Sequence, residues 1–450
     1  MERRLFGTDG IRGVAGEPPL DSATIFAVGV CIGQFLLRKA SRPRVLIGED
    51  TRESSRWIAE TMASGLRKAG VEIVTAGVIT TPGLAYLTAS EGFAAGVMIS
   101  ASHNPYRDNG IKIFSSAGFK LPDADELEIE QDIFAHLQSG SAFSPGFSVE
   151  PNRALVERYV DFLRRAAGPG WALPGWMLVV DCANGSASTI AREVFAERGM
   201  QLTLLANQPD GQNINLDCGS LHLEVLRHAV REQKANLGVA FDGDADRALF
   251  VTATGRVVDG DGVLLIASRY WRQQGGLRNG VVVGTVMSNL GLEQALAREG
   301  LHLLRAPVGD KYVLEEMLRC GANLGGEQSG HILFLDLATT GDGLLTALQM
   351  LRILAEKKQT LDQLVEGMEI FPQVIRNVRV REKVPLESLP EVMARIEASR
   401  KSLGDTGRLL VRYSGTELLA RVMVEAQTAE EVERHAAAIA RAIEESIGAR

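Results

Sequence analysis

Cysteine is scarce in this sequence and carries no pattern. Cys31, Cys182, Cys218 and Cys320 are scattered through the 450 residues and form no CxxC pair and no framework spacing. A disulfide-stapled fold is excluded on that count, and reduced thiols in a reducing compartment are expected. Long apolar runs are also missing. The most apolar early stretch, Thr24 to Leu37, is interrupted by Gln34 and is too short to span a bilayer. The opening MERRLFGTDGIRG has no apolar core of the kind a secretory signal needs. A cytoplasmic protein with no membrane partner is therefore expected. Basic excess is absent too: 48 Lys and Arg stand against 56 Asp and Glu, a net charge of −8. Non-specific nucleic-acid binding requires a basic face, so that class of partner is excluded. A small anionic substrate needs only a few converging Arg and Lys side chains and stays open. No low-complexity segment occurs.

What is present fits a soluble, multidomain globular chain. Hydrophobic residues make up 45% and charged residues 23%. The length exceeds one ordinary domain. Short β-branched runs alternate with helical stretches: Arg44–Gly48 and Val71–Thr75 read as strands around an amphipathic helix over Ser54–Lys68, and Gly96–Ile99 as a further strand. This βαβ rhythm predicts mainly parallel sheets covered by helices. It restarts at Trp176–Asp181 after GPGWALPG, which reads as a linker, and again at Gly280–Val283. The last eighty or so residues differ. Strands are expected over Val374–Val380, Arg408–Arg412 and Arg421–Glu425. A helix is expected over Pro390–Ser399, and a final one carries Val432, Ala436, Ile439, Ile443 and Ile447 on one face. The expected organisation is four domains: three related α/β units over residues 1–160, 161–256 and 257–369, and a smaller α+β unit over 370–450.

Four loops concentrate the chemistry, one in each expected domain. Ile99-Ser100-Ala101-Ser102-His103-Asn104-Pro105 follows a strand, at the edge where open α/β sheets place ligands. A serine beside a histidine there is a candidate nucleophile, and a plain Asn-Pro turn is the alternative. Phe241-Asp242-Gly243-Asp244-Ala245-Asp246-Arg247 puts three carboxylates at alternate positions, a set of hard oxygen ligands suited to Mg²⁺. An EF-hand spaces its aspartates similarly but needs Gly sixth and Glu twelfth; Arg247 and Ala253 stand there, so that reading fails. Gly326-Glu327-Gln328-Ser329-Gly330-His331 offers a carboxylate and a hydroxyl suited to sugar hydroxyls. An ordinary glycine turn is the rival there, and His331 alone reads as structural. Arg412-Tyr413-Ser414-Gly415-Thr416-Glu417, with Arg421 behind it, has the make-up of a phosphate cradle. A surface turn competes with it.

Taken together and in order, these loops resemble the α-D-phosphohexomutase family over the whole chain. Within the family, FGTDGIRG and the Gln328 of GEQSGH resemble the branch that acts on glucosamine phosphates. The resemblance implies a heart-shaped molecule with a central cleft. It also implies three α/β domains with mixed sheets and a smaller α+β domain. Ser102 falls on the residue that carries the catalytic phosphate, and Ser100 does not. Asp242, Asp244 and Asp246 fall on the ligands of one Mg²⁺, with a phosphoserine oxygen of Ser102 as a further ligand. Arg12, Lys112 and Arg247 match cations around the reacting phosphate, and His103 lies beside the serine. Glu327 and Ser329 match a sugar-contacting pair, and His331 joins them as substrate-binding. Arg412, Ser414, Gly415, Thr416 and Arg421 match the phosphate site. The implied enzyme interconverts glucosamine 6-phosphate and glucosamine 1-phosphate through phosphoserine and a 1,6-bisphosphate. Glucosamine or glucose 1,6-bisphosphate is its activator, and its product feeds UDP-N-acetylglucosamine synthesis. The same chemistry on glucose or mannose phosphates is the nearest alternative, and a non-catalytic sugar-phosphate sensor a remoter one. A monomer or homodimer is expected. One departure is visible: Leu418 follows Glu417 where the family often has proline.

Overall fold

The computed structural model describes residues 5–7, 9–139, 147–414 and 417–449. Gly415 and Thr416 lie outside the described residues. By its internal contacts the chain divides into two compact units. The first comprises Met1–Val286 and Leu304–Glu366, and the second Met287–Leu303 and Gly367–Arg450.

The first unit is built on a repeated sheet. Strands β1 (Ile11–Val14), β2 (Arg44–Glu49), β3 (Glu72–Val78), β4 (Ala95–Ile99) and β5 (Asp108–Ser115) lie in the order β1-β5-β4-β2-β3. The next sheet contains β6 (Met177–Asp181), β7 (Gln201–Leu205), β8 (Leu237–Phe241), β9 (Ala248–Thr252) and β10 (Val257–Val258), ordered β10-β9-β8-β6-β7. A third contains β11 (Val281–Thr285), β12 (His302–Ala306), β13 (Leu324–Gly326) and β14 (Ile332–Phe334), ordered β12-β11-β13-β14. The division between the units falls within β12.

In each sheet a central strand pairs in parallel with its neighbour, β2 with β4, β6 with β8 and β11 with β13. That neighbour then pairs antiparallel with the strand that follows it, β5, β9 or β14. The sheets are therefore mixed, where the βαβ rhythm alone predicts mainly parallel ones. The reason is loop length. A parallel crossover needs about a dozen residues or more, and the stretches between β4 and β5, β8 and β9, and β13 and β14 are too short for one.

Two helices show how the first sheet is covered. Helix α1 (Ser22–Lys39) starts at Asp21, whose Oδ1 accepts the N–H groups of Ala23 and Thr24 at 3.1 Å. Its apolar face, including Ile25, Val28, Ile32 and Phe35, lies in the core. Burying such side chains stabilises the fold by roughly 1.5–3 kcal/mol each. The apolar stretch in the sequence is thus a core helix, 18 residues long. It crosses helix α2 (Glu53–Ala69) at two glycines: a Cβ on Gly65 would lie 2.3 Å from the Phe26 carbonyl oxygen, and one on Gly29 2.5 Å from that of Met62. The segment expected as a linker is packed instead. Trp171 and Leu173 are buried, the Trp171 indole N–H donates to the Ala167 carbonyl at 2.8 Å, and Arg198 lies over the ring.

The second unit carries β15 (Gln373–Arg379), β16 (Arg408–Tyr413) and β17 (Leu419–Glu425), all antiparallel in the order β15-β17-β16. Helices Pro390–Leu403 and Ala429–Ile447 supply its core, with Val392, Ile396, Val432, Ala436, Ile439 and Ile443 buried among the strand residues.

Candidate active site

Three of the four loops occupy equivalent places. Each leaves the carboxyl end of a parallel strand and turns into the antiparallel strand beside it: Ser102 after β4, Asp242 to Asp246 after β8, and Glu327 to His331 after β13. Each also bends through a left-handed residue, at Ser102 (φ 52), Ala245 (φ 56) and Gly330 (φ 95). Positive φ is uncommon outside glycine and costs on the order of 1–3 kcal/mol, so the surrounding groups must hold it.

At Ser102 they do. Its carbonyl accepts from Arg52 Nη2 at 3.1 Å and Asn215 Nδ2 at 2.9 Å, and its N–H donates to Ser100 Oγ at 3.0 Å. Arg52 is itself buried and ion-paired with Asp50. Ser100 is fully buried and braces the loop, whereas Ser102 Oγ points to the acidic loop and donates to Asp242 Oδ2 at 2.6 Å. His103 Nδ1 lies 3.3 Å from the same hydroxyl. Burial, followed by the charges of Arg247 and Arg12, pushes the His103 imidazole down to about 4, so it is neutral at physiological pH.

The acidic loop is assembled by close backbone approach. A Cβ on Gly243 would lie 2.6 Å from the Ser102 carbonyl oxygen, and one on Gly185 2.2 Å from that of Gly243. Asp242, Asp244 and Asp246 are buried, with their ligand oxygens within 4.8 Å of one another. Burial and the charges of Asp246 and Asp244 drive the Asp242 carboxyl well above the ordinary range. One oxygen of each remaining carboxylate is engaged. Asp244 Oδ2 accepts from Thr81 Oγ1 at 2.5 Å and Lys112 Nζ at 2.9 Å, and Asp246 Oδ2 faces His331 Nδ1 at 3.5 Å. The other oxygen, Oδ1 of Asp244 and of Asp246, is buried and accepts no hydrogen bond from the described residues. Two such orphaned carboxylate oxygens in a cluster of like charge fit a hard divalent cation such as Mg²⁺.

Cations surround this cluster. Lys112 is buried on β5; burial would lower its pKa, but Asp244, Asp9 and Asp246 hold it above the ordinary lysine value. Arg12 pairs with Asp9 and donates to Asn104 Oδ1 at 3.4 Å. Arg247 Nε lies 3.8 Å from Asp246 Oδ1. Lys120, bound to Asp9 and at 2.5 Å to Asp310, extends the network.

The third loop adjoins it. Glu327 Oε1 accepts from the Gly309 N–H at 3.0 Å, and Ser329 Oγ is buried with no hydrogen-bond partner among the described residues. His331 is buried between Asp246 and the Gly341 N–H, which points at Nε2 from 3.1 Å. Burial lowers its pKa, but the charges of Asp246, Asp310 and Glu327 outweigh that and raise it to about 9. A protonated ring would turn a donor toward the Gly341 N–H. The neutral Nδ1–H tautomer is the form that satisfies both neighbours, so protonation at Nε2 costs the Gly341 contact.

The fourth loop belongs to the second unit. Arg412 of β16 and Arg421 of β17 are direct cross-strand partners, so their side chains share a face. Like charges directly opposite are unfavourable without an anion between them. Arg421 lies 3.4 Å from Glu417, and the N–H of Glu417 donates to the buried Ser414 Oγ at 3.3 Å.

Asp9, Arg52, Thr81, Lys120, Asn215 and Asp310 join these loops without having been picked out from the sequence. The rule that ligands gather at strand carboxyl ends reaches Arg52 and Thr81, which follow β2 and β3. Asp9 sits inside the FGTDGIRG motif.

Family models for phosphoglucomutase/phosphomannomutase match in register along the chain. The α/β/α domains I, II and III match residues 3–139, 157–255 and 259–371, and the C-terminal domain residues 376–442. A phosphoglucosamine mutase of Koribacter versatilis is 52% identical over 99% of this chain and 98% of its own. The chain belongs to the α-D-phosphohexomutase family. Solved structures extend the likeness at the level of fold. A phosphoglucomutase/phosphomannomutase family protein from Burkholderia thailandensis superposes with a TM-score of 0.79 at 23% identity, covering 98% of this phosphohexomutase and 97% of that chain. Aspergillus fumigatus N-acetylphosphoglucosamine mutase, solved with GlcNAc-6P and magnesium, gives 0.65 at 19% identity, with 99% and 96% covered. The same fungal protein has also been solved with glucose 1,6-bisphosphate.

Proposed function

We propose that the chain is a phosphoglucosamine mutase working through a phosphoserine at Ser102. The observation that carries this reading is the 2.6 Å contact between the Ser102 hydroxyl and Asp242, inside a cluster of three buried carboxylates flanked by Lys112. A binding protein would need neither a nucleophile nor that cluster.

In the forward direction phosphorylated Ser102 gives its phosphoryl group to the C1 hydroxyl of glucosamine 6-phosphate. The phosphorus–Oγ bond breaks as the phosphorus–O1 bond forms. The 1,6-bisphosphate turns round, and Ser102 takes the 6-phosphoryl group, leaving glucosamine 1-phosphate. Glucosamine or glucose 1,6-bisphosphate can load a bare Ser102 by the same step. Asp242, Asp244 and Asp246 would hold Mg²⁺, which would neutralise charge on the group in transfer. Lys112, Arg247 and Arg12 supply fixed positive charge beside Ser102. In each half-reaction the attacking hydroxyl gives up a proton and the departing oxygen takes one up. Of the groups around the serine, neutral His103 can carry that proton from one oxygen to the other, whereas the carboxylates around Lys112 hold it cationic. Glu327 and Ser329 bind the sugar hydroxyls. Arg412, Ser414, Gly415, Thr416 and Arg421 hold the phosphate that is not reacting. Four unpaired cysteines suit a cytoplasmic enzyme, supplying the 1-phosphate for UDP-N-acetylglucosamine synthesis.

Intact-mass measurement tests the reading. Incubation with glucose 1,6-bisphosphate and Mg²⁺ should add one phosphoryl group, mapped to Ser102 and discharged by glucosamine phosphate. A label on another residue, or none, would overturn it.

A further inference from the structure

We infer that Thr81 is a positioning residue for the metal, selecting which oxygen of Asp244 faces the cation. The inference rests on the metal reading above and adds a group from another sheet's edge.

Thr81 opens helix α3 (Thr81–Ser90), directly after β3, and is buried. It grips Asp244 twice. Its N–H donates to the Asp244 carbonyl at 3.1 Å, fixing the loop backbone, and its hydroxyl donates to Asp244 Oδ2 at 2.5 Å. Lys112 Nζ takes the same oxygen at 2.9 Å. With two donors on Oδ2, the carboxylate presents Oδ1, which is buried and accepts no hydrogen bond from the described residues. A carboxylate free to rotate offers both oxygens and loses that freedom on binding; this one is already turned. Groups behind a first ligand typically contribute about 10- to 100-fold in metal affinity by fixing its orientation.

Thr81 itself is held by its own helix start. Thr80 caps the helix, its Oγ1 accepting the Gly83 N–H at 3.1 Å, and Pro82 occupies the first turn, where its missing N–H costs nothing. The donor that aims Asp244 therefore comes from a stiff helix terminus.

The chemistry separates Thr81 from Lys112. The lysine brings charge as well as a hydrogen bond, so replacing it changes the field on any phosphate. Thr81 brings only a neutral O–H, so its removal isolates orientation.

The test is cation binding, read apart from turnover. The full chain is dephosphorylated and stripped by chelation, and Mg²⁺ is titrated by calorimetry, with Mn²⁺ followed by electron paramagnetic resonance. Thr81→Val keeps the shape and removes the donor; Thr81→Ser keeps the donor and removes the methyl group. Thr81→Val should weaken Mg²⁺ binding by about tenfold, and Thr81→Ser should stay within about twofold of the unaltered chain. Activity of Thr81→Val should recover toward normal as Mg²⁺ is raised, with the substrate KM at saturating metal unchanged. If Thr81→Val unfolds, Thr81→Ala takes its place in the same comparison. Unaltered Mg²⁺ affinity in the donor-less variant overturns the inference, as does an equal loss in Thr81→Ser. Absence of Mg²⁺ binding by the unaltered chain removes the metal reading and this role with it. Mg²⁺ binding without glucosamine phosphate turnover removes the sugar reading and leaves Thr81 in place.

Discussion

Ser102 adopts a backbone conformation that side chains avoid, and the groups holding it there set what its replacements will do. Its Oγ points to Asp242 while Ser100 Oγ is spent on the loop's own N–H. Ser102→Ala should abolish mutase turnover with the fold intact, and Ser100→Ala should only reduce it. Steady-state rates on protein pre-incubated with bisphosphate, alongside thermal melts, check both; near-normal turnover by Ser102→Ala contradicts the assignment. The brace beneath the serine is open to a stability measurement. Arg52 and Asp50 form a buried ion pair, and Arg52 also binds the carbonyls of Ser102 and Asn104. Removing one partner of such a pair leaves an uncompensated charge, at a cost of roughly 3–5 kcal/mol. Arg52→Met should lower unfolding stability by about that amount in urea titration, and a change below about 1 kcal/mol, the usual worth of exposed pairs, counts against the brace.

At the scale of the element, the site is one loop used three times, after β4, β8 and β13. The polar clusters of those loops were legible in the sequence because each concentrates its polar residues in a few positions after an apolar strand. Strand direction was less so: β1, β5 and β9 carry few local signals, and short connections rather than periodicity decide that the sheets are mixed. GPGWALPG has the composition of a linker, yet Trp171 and Leu173 are buried, which only tertiary packing reveals. Thr81, Arg52 and Asn215 escaped notice for a related reason. Each acts on a residue far away in sequence, and nothing in a threonine or an arginine announces its partner. Glycines at the backs of the loops carry the same information in structural form. A Cβ on Gly260 would lie 1.9 Å from the Glu327 carbonyl oxygen, so Gly260→Ala must push the Glu327 loop aside. Overpacking of that kind costs roughly 1–3 kcal/mol. The expected outcome is a raised KM for the sugar phosphate with Mg²⁺ affinity nearly unchanged, measured by kinetics and calorimetry on the same preparation. Normal KM would mean that Glu327 does not contact the substrate.

Across the whole molecule, the proposed reacting groups belong to the first unit and the proposed phosphate grip to the second. Arg412 and Arg421 stand opposite each other across β16 and β17, an arrangement that an anion relieves. Binding energy at a remote phosphate can position the reacting end, so its loss should affect transfer as well as affinity. Arg412→Ala should lower kcat/KM by roughly 10- to 150-fold, the equivalent of about 1.5–3 kcal/mol for a charged hydrogen bond. Arg412→Lys should recover little, since an ammonium cannot form the planar fork. Phosphorylation of Ser102 by a small donor should be less affected, which separates a grip on substrate from damage to the serine.

The most direct test of the central claim is ³¹P nuclear magnetic resonance of the purified chain with Mg²⁺, a trace of glucose 1,6-bisphosphate and glucosamine 6-phosphate, repeated with glucose and mannose 6-phosphates. The glucosamine 1-phosphate signal should grow to equilibrium without inorganic phosphate, and glucosamine phosphate should be turned over with the highest kcat/KM of the three. Accumulation of inorganic phosphate without the 1-phosphate, or a preference for mannose or glucose phosphate, would contradict it.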